Sequence, residues 1–174
     1  MPSVKRSQEA LEKIRKIADY QFGRGVGKVL FPSNVKTILS TKTGRIRYVT
    51  LKNRLLGTLR PTDGVFSLSI DGARRLARTK RTSLRVIVYQ DVSAFVAKGK
   101  SVFAKHIVYA GTAIRPQDEV TVVNGDCSVL AVGKAVLTAK EMQVFQRGLA
   151  LRVRRGVAEK RHMHVTDSQK KTLN

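Results

Sequence analysis

The sequence predicts an α+β fold, an N-terminal helix and antiparallel sheet followed by a second compact unit rich in strands. Three observations carry this. Apolar residues at Ala10/Leu11, Ile14, Ile17/Ala18 and Phe22 recur at the spacing of one buried helical stripe. Between residues 35 and 70, short apolar runs are separated by Thr43-Gly44, Lys52-Asn53-Arg54 and Pro61-Thr62-Asp63-Gly64, hairpin signals at near-regular intervals. Residues 116–156 then hold a hairpin signal, a helix start and a return strand in close succession.

The first helix is expected over residues 7–22, with Ser7 as N-cap and Gly23 as stop. Its charged face carries Glu9, Glu12, Lys13, Arg15 and Lys16. The run Gly23-Arg24-Gly25-Val26-Gly27 lacks the Gly-Lys-Ser/Thr ending of a phosphate-cradling loop and follows a helix rather than a strand. It reads as a flexible connection, or as backbone pressed close to RNA phosphates.

Four strands follow, over 35–40, 45–51, 55–60 and 65–70, forming an antiparallel meander. Arg45, Arg47 and Val49 alternate with Ile46, Tyr48 and Thr50, giving the second strand a basic face. No acidic residue occurs between Asp19 and Asp63, a gap that holds nine Lys or Arg. Without compensating carboxylates, this region reads as a phosphate-facing surface. A short helix over 71–76 closes the unit, and Arg74, Arg75, Arg78, Lys80 and Arg81 lead into a boundary at 80–84.

The second unit opens with a strand over 84–89. Asp91 is expected to cap a helix over 92–98 that ends at Gly99, with Lys98, Lys100, Ser101 and Lys105 gathered around that end. Arg115 to Asp118 reads as a turn. The strand over 119–123 alternates and breaks at Asn124-Gly125-Asp126, a sequence that tolerates the positive φ of a tight hairpin. Gly133, inside the next strand, marks a bulge or a close backbone approach. Thr138 and Glu141 are spaced as a capping box, opening a short helix that stops near Gly148. A last strand over 149–153 runs into Arg154-Arg155-Gly156. Residues 158–174 are polar and read as a disordered basic tail.

With 174 residues the chain suffices for one ordinary domain or two small ones, and 42% hydrophobic residues suffice for a packed core. Charge is the dominant compositional feature: 34 basic against 12 acidic side chains, net +22. Residues 1–82 carry +14, 83–157 carry +6 and 158–174 carry +2. Such an excess attracts polyanions, nucleic acid first. An anionic membrane surface is the other physical possibility, but no apolar run approaches the ~20 residues needed to span a bilayer. The N-terminus lacks the apolar core of a secretory signal, and the lone Cys127 rules out an internal disulfide framework. Together these point to a reducing cytoplasm.

The stretches VTVVNGDCSVLAVGKAVLTAKEM and RGLALRVRRG resemble the C-terminal half of a PUA domain, an RNA-binding module. DVSAFVAKGKSVFAKHIV resembles the first helix and following strand of the same module. QFGRGVGKVLFP and residues 43–76 resemble the domain that precedes PUA in archaeal, archaeosine-type tRNA-guanine transglycosylase. The resemblance covers residues 7–157 and implies a transglycosylase-like α+β module over 1–82 and a PUA-type small β-barrel over 83–157. It also implies an RNA contact surface along the helix end and the last strand: Lys98, Gly99, Lys100, Ser101, Phe103 and Lys105, with Gly148, Arg152, Arg154 and Arg155 opposite. Arg45, Arg47, Arg74, Arg75 and Arg78 extend it on the first module.

Catalytic groupings are not evident. Three histidines and one cysteine do not make a metal cluster, and no Gly-x-Ser-x-Gly elbow is present. His106 is expected within a basic, apolar strand, in a structural or RNA-contacting role, and His162 and His164 fall in the tail. The carboxylates Asp63, Asp71, Asp91, Asp126 and Glu141 are placed at caps and turns. In the transglycosylase, base exchange belongs to a separate barrel domain that this chain is too short to include. The expectation is therefore a non-catalytic RNA-binding protein without cofactor. Its RNA would be tRNA, gripped at the acceptor stem and 3′ tail, in the service of a separate catalytic transglycosylase subunit. The alternatives are a ribosomal RNA-binding protein of the ribosome or its assembly, and a small RNA-modifying enzyme.

Overall fold

The computed structural model describes residues 2–79 and 82–159, with side chains from residue 7 onward in the first helix. Lys80, Arg81 and the tail beyond Glu159, including His162 and His164, lie outside the described residues.

Helix α1 (Pro2–Phe22) begins at Pro2 rather than at Ser7. Proline is favoured at the first helical position, so Ser7 falls inside the helix instead of capping it. Ile14, Ala18 and Phe22 are buried as the stripe predicts. Gly23, at φ 118°, stops the helix by donating its N–H to the Asp19 carbonyl, 3.0 Å away. The glycine-rich run that follows is not a flexible link. It folds into a short helix, α2 (Val26–Leu30), packed across α1. A Cβ on buried Gly27 would overlap the Arg15 backbone, so glycine permits the helix crossing. The Arg15 Nε closes the same junction by donating to the Phe31 carbonyl at 2.8 Å.

Strands β1 (Lys36–Leu39), β2 (Ile46–Leu51), β3 (Arg54–Leu59) and β4 (Phe66–Leu68) form the expected antiparallel meander in the order β1-β2-β3-β4. Lys52 and Asn53 supply the two positive φ angles of the β2–β3 hairpin. Val49, Leu56, Phe66 and Leu68 are buried in the core, with the Phe31 and Phe66 rings 4.9 Å apart and tilted. Helix α3 (Ile70–Ala77) closes the unit, capped by the Ser69 hydroxyl, which accepts from the Gly72 N–H at 3.0 Å.

The second unit has strands β5 (Arg85–Val88), β6 (Val102–Phe103), β7 (Ile107–Ala110), β8 (Glu119–Val123), β9 (Val129–Ala135) and β10 (Leu149–Gly156). Their order, β6-β10-β9-β8-β5-β7, makes a six-stranded mixed sheet that curls into a nearly closed barrel. The β5–β8 pair is parallel because the long connection through β6 and β7 returns the chain in the same direction. Gly133 allows the β9 backbone to meet β10: an added Cβ would lie 2.8 Å from Val153 Cα. The register of β10 shifts beside it, between Val153 and Arg155. The Thr138–Glu141 capping box forms as expected and starts α5 (Ala139–Val144).

Four local expectations are corrected. The Asn124 hairpin is present, but its left-handed residue is Cys127 (φ 60°), and the Asn124 side chain accepts from the Ser128 N–H at 2.9 Å. A 3-10 turn over Gln90–Val92 takes up Asp91, and α4 (Ser93–Ala97) starts beyond it without a side-chain cap. Helix α5 ends at Val144, short of Gly148. His106 closes a 3-10 turn (Ala104–His106) between β6 and β7 rather than lying in a strand.

The two units share one hydrophobic core, which runs without a break from Ile14 to Leu151. Strand β8 was expected to alternate, yet every one of its residues is buried, Glu119 and Thr121 included. Strand β4 and helix α3 of the first unit pack against it from outside the barrel, so it has no solvent face.

Candidate nucleic-acid interface

The end of α4 is a Schellman motif. The Gly99 N–H donates to Val96 at 2.9 Å and the Lys100 N–H to Phe95 at 3.1 Å, with Gly99 at φ 87°. This turn throws Lys98, Lys100 and Ser101 outward, all exposed. Strand β6 then pairs with the first half of β10, Phe103 opposite Leu149 and Val102 opposite Leu151. The Ser101 hydroxyl accepts from the Val153 N–H at 3.3 Å. Sequence positions fifty residues apart are thereby joined: Lys100, Ser101 and exposed Arg152 sit at one edge of the barrel. Phe103 is half exposed, Lys105 exposed, and Gly148 (φ 97°) accepts from the Ala104 N–H at 3.0 Å.

Arg154 and Arg155 differ from that group. Arg154 turns to the junction of the two units, where its Nη2 donates to the Leu68 carbonyl at 2.8 Å and to the buried Glu119 carboxylate. Arg155 lies 3.6 Å from the Glu159 carboxylate. At Gly99, the first group an added Cβ would strike is that same carboxylate.

On the first unit, Arg45 is exposed at the β1–β2 turn, and Arg47 lies 5.9 Å from the Tyr48 ring centre. The continuous basic face expected for β2 is corrected: Arg47 shares its face with fully buried Val49, so that face turns to the core. Arg75 is also committed, donating from Nη2 to the Val29 carbonyl at 2.7 Å and from Nε to Val29 and Leu30 at 3.2 Å. It satisfies the carbonyls at the end of α2. Arg74 and Arg78 are exposed and, with Lys52, Arg54 and Arg75, line a cavity of about 450 Å3. Asp71 is the one acid in its wall, 3.2 Å from Arg74 and 3.8 Å from Arg54.

Sequence reasoning missed Lys52, Arg54 and Glu119. The first two flank Asn53 in an acid-free stretch, and their hairpin position was the signal available. Nothing local marks Glu119, which opens a strand of Val and Thr. Burial pushes its carboxyl above the ordinary range, against the pull of Arg154 and the Leu68 N–H. A larger cavity, about 740 Å3, opens between the end of α1 and the start of α5 and holds none of the predicted site residues. Among the described residues, no group of three or more His, Cys, Asp or Glu is placed to hold a metal ion. No described helix is long and apolar enough to cross a membrane.

The fold and the glycine-capped helix end define a PUA barrel built onto an α+β module. Comparison with known families agrees: the PUA profile matches residues 84–157, and the patch-forming domain C2 of tRNA-guanine transglycosylase matches residues 12–82. The chain carries a PUA domain over residues 84–157 and resembles the C-terminal part of archaeal tRNA-guanine transglycosylase. It is 41% identical over 157 residues to the tRNA-guanine(15) transglycosylase of Methanothermobacter thermautotrophicus, covering 90% of this chain and 24% of that enzyme. For the Thermococcus kodakarensis enzyme the identity is 43% over 150 residues, covering 86% and 26%. The chain thus spans about a quarter of the length of these relatives. Among solved structures, a hypothetical protein from Pyrococcus horikoshii superposes with a TM-score of 0.70 at 19% identity, over 87% of this chain and 92% of its own. A conserved PUA domain protein from Thermoplasma acidophilum gives 0.64 at 18%, over 88% and 92%. Both share the fold.

Proposed function

We propose that this chain is a non-catalytic, cytoplasmic RNA-binding protein that grips tRNA for an archaeosine-type transglycosylase carried on a separate chain. The observation that supports this reading is the match of both modules, side by side, to proteins named tRNA-guanine(15) transglycosylase. The grip itself rests on Lys98, Lys100, Lys105 and Arg152 around Gly99, with Arg74 and Arg78 on the first module. Lysine and arginine neutralise phosphates and release counterions, so affinity comes mainly from the RNA backbone. Phe103, half exposed beside them, offers a ring on which an unpaired base can stack. An acceptor stem with its single-stranded 3′ end supplies both elements.

Two measurements test the reading. Lys100→Glu combined with Arg152→Glu should abolish tRNA binding while thermal unfolding stays nearly unchanged. Purified protein given tRNA and labelled guanine should show no base exchange until a catalytic chain is added; exchange by this chain alone overturns the reading. Ribosomal RNA is a second reading, favoured by the net charge of +22. Sequencing RNA crosslinked to the protein in cell extract separates the two, since each predicts a different dominant species.

A further inference from the structure

Between the two modules lies a cleft of about 400 Å3, within the ~300–1,000 Å3 of cavities that bury small ligands. Four arginines from both sides line it: Arg54 and Arg74 from the sheet module, Arg154 and Arg155 from β10. Their side chains are 67%, 52%, 42% and 43% exposed, so each remains accessible to solvent despite its ion pair. Arg54, Asp71 and Arg74 also line the 450 Å3 cavity that holds Lys52 and Arg78. The two hollows therefore form one cationic track, leading from the β2–β3 hairpin to β10.

At the β10 end this track is stopped by a carboxylate. After β10 the chain turns back over α4: Gly156 packs against the Ala97 carbonyl and the Gly99 N–H, and the Ala158 N–H donates to Ala97 at 2.8 Å. Glu159 is thereby laid across Gly99, with its other carboxylate oxygen 3.6 Å from Arg155. A carboxylate lying 3.6 Å from an arginine and across a side-chain-free turn occupies a position suited to a phosphate oxygen.

We propose that the cleft between the modules is a binding site for the phosphates of a single RNA strand, and that the Glu159 carboxylate stands in that site as an intramolecular substitute which RNA displaces. This rests on the RNA-binding reading above and extends it from the barrel edge onto the sheet module. A single strand fits better than a duplex, because the arginines line a cavity rather than a surface wide enough for two strands.

The test uses the full chain, a short oligouridylate and a blunt RNA duplex, with binding measured over a range of salt. Glu159→Gln should tighten oligouridylate binding roughly two- to fivefold, the worth of one exposed charge contact, and leave the duplex little changed. Arg54→Gln with Arg74→Gln should weaken the oligouridylate and lower the slope of log affinity against log salt by about 1 to 2. A structural role alone would not move that slope. Glu159→Ala provides a second variant should Gln retain a hydrogen bond to Arg155. If both Glu159 variants bind the oligouridylate no better than wild type, or if the double arginine variant keeps the full salt slope, the cleft site is overturned. Loss of binding in Lys100→Glu/Arg152→Glu alongside that result would leave the barrel-edge reading standing. A wild-type chain that binds neither RNA overturns both.

Discussion

Arg154 and Glu119 bracket a single residue of the neighbouring module. The Leu68 N–H donates to the Glu119 carboxylate at 2.8 Å, the Leu68 carbonyl accepts from Arg154, and the two side chains pair with each other. Both backbone groups at the end of β4 are satisfied by the barrel, where another strand would otherwise be needed. The ion pair is therefore a structural joint, and its acid is buried while its base is half exposed.

Glu119→Ala should destabilise the protein by about 2–3 kcal/mol, below the range for a fully buried pair because Arg154 keeps water. The midpoint of urea unfolding measures it. A loss under about 0.5 kcal/mol, the level of an ordinary surface change, would contradict the joint.

The same group gives a pH dependence of defined sign. Burial raises the folded carboxyl of Glu119 above its unfolded value. The folded state then holds a proton that the unfolded state has released. Its contribution is most favourable below the unfolded pKa and declines as pH rises through the window between the unfolded and folded values. Glu119→Gln should flatten this falling limb in unfolding curves taken from mildly acidic to neutral pH. Wild-type and variant curves running parallel across that window would refute the assignment.

Arg75 and Arg78 separate structure from binding within one arginine-rich run. Arg75→Ala leaves the carbonyls of Val29 and Leu30 without their donor and should cost about 1–3 kcal/mol. Arg78→Ala should leave stability within about 0.5 kcal/mol and weaken RNA binding. Paired denaturation and binding measurements read both effects. Equal stability of the two variants would count against the role given to Arg75.

Gly133→Ala should destabilise by about 2–3 kcal/mol, because the new Cβ must push β9 away from the Arg152 carbonyl and Val153. Gly125→Ala is the control, since its Cβ meets no atom within 4 Å and its φ is negative. Thermal unfolding of the pair is sufficient, and similar midpoints would sink the argument.

What the sequence made legible was local or periodic. The stripe Ile14–Ala18–Phe22, the meander with its hairpins, the Thr138–Glu141 box and the Gly99 stop each depend on residues a few positions apart. What it hid depends on distant partners. Strand β8 loses its alternation because β4 and α3 cover its outer face, and nothing in its own residues announces that cover. Arg75 and Arg154 look like their arginine neighbours until the carbonyls they serve come into view. In sequence the glycines near residue 25 look like slack, whereas Gly27 allows one helix to cross another closely.

The unbroken core beneath both modules also fixes a distance. With β8 wedged against β4 and Leu68 pinned from two sides, the cations at the barrel edge and those beside the β2–β3 hairpin keep a constant separation. A molecule touching both sets is in effect measured by calipers: it must bring its charges at that span, or it can satisfy only one jaw.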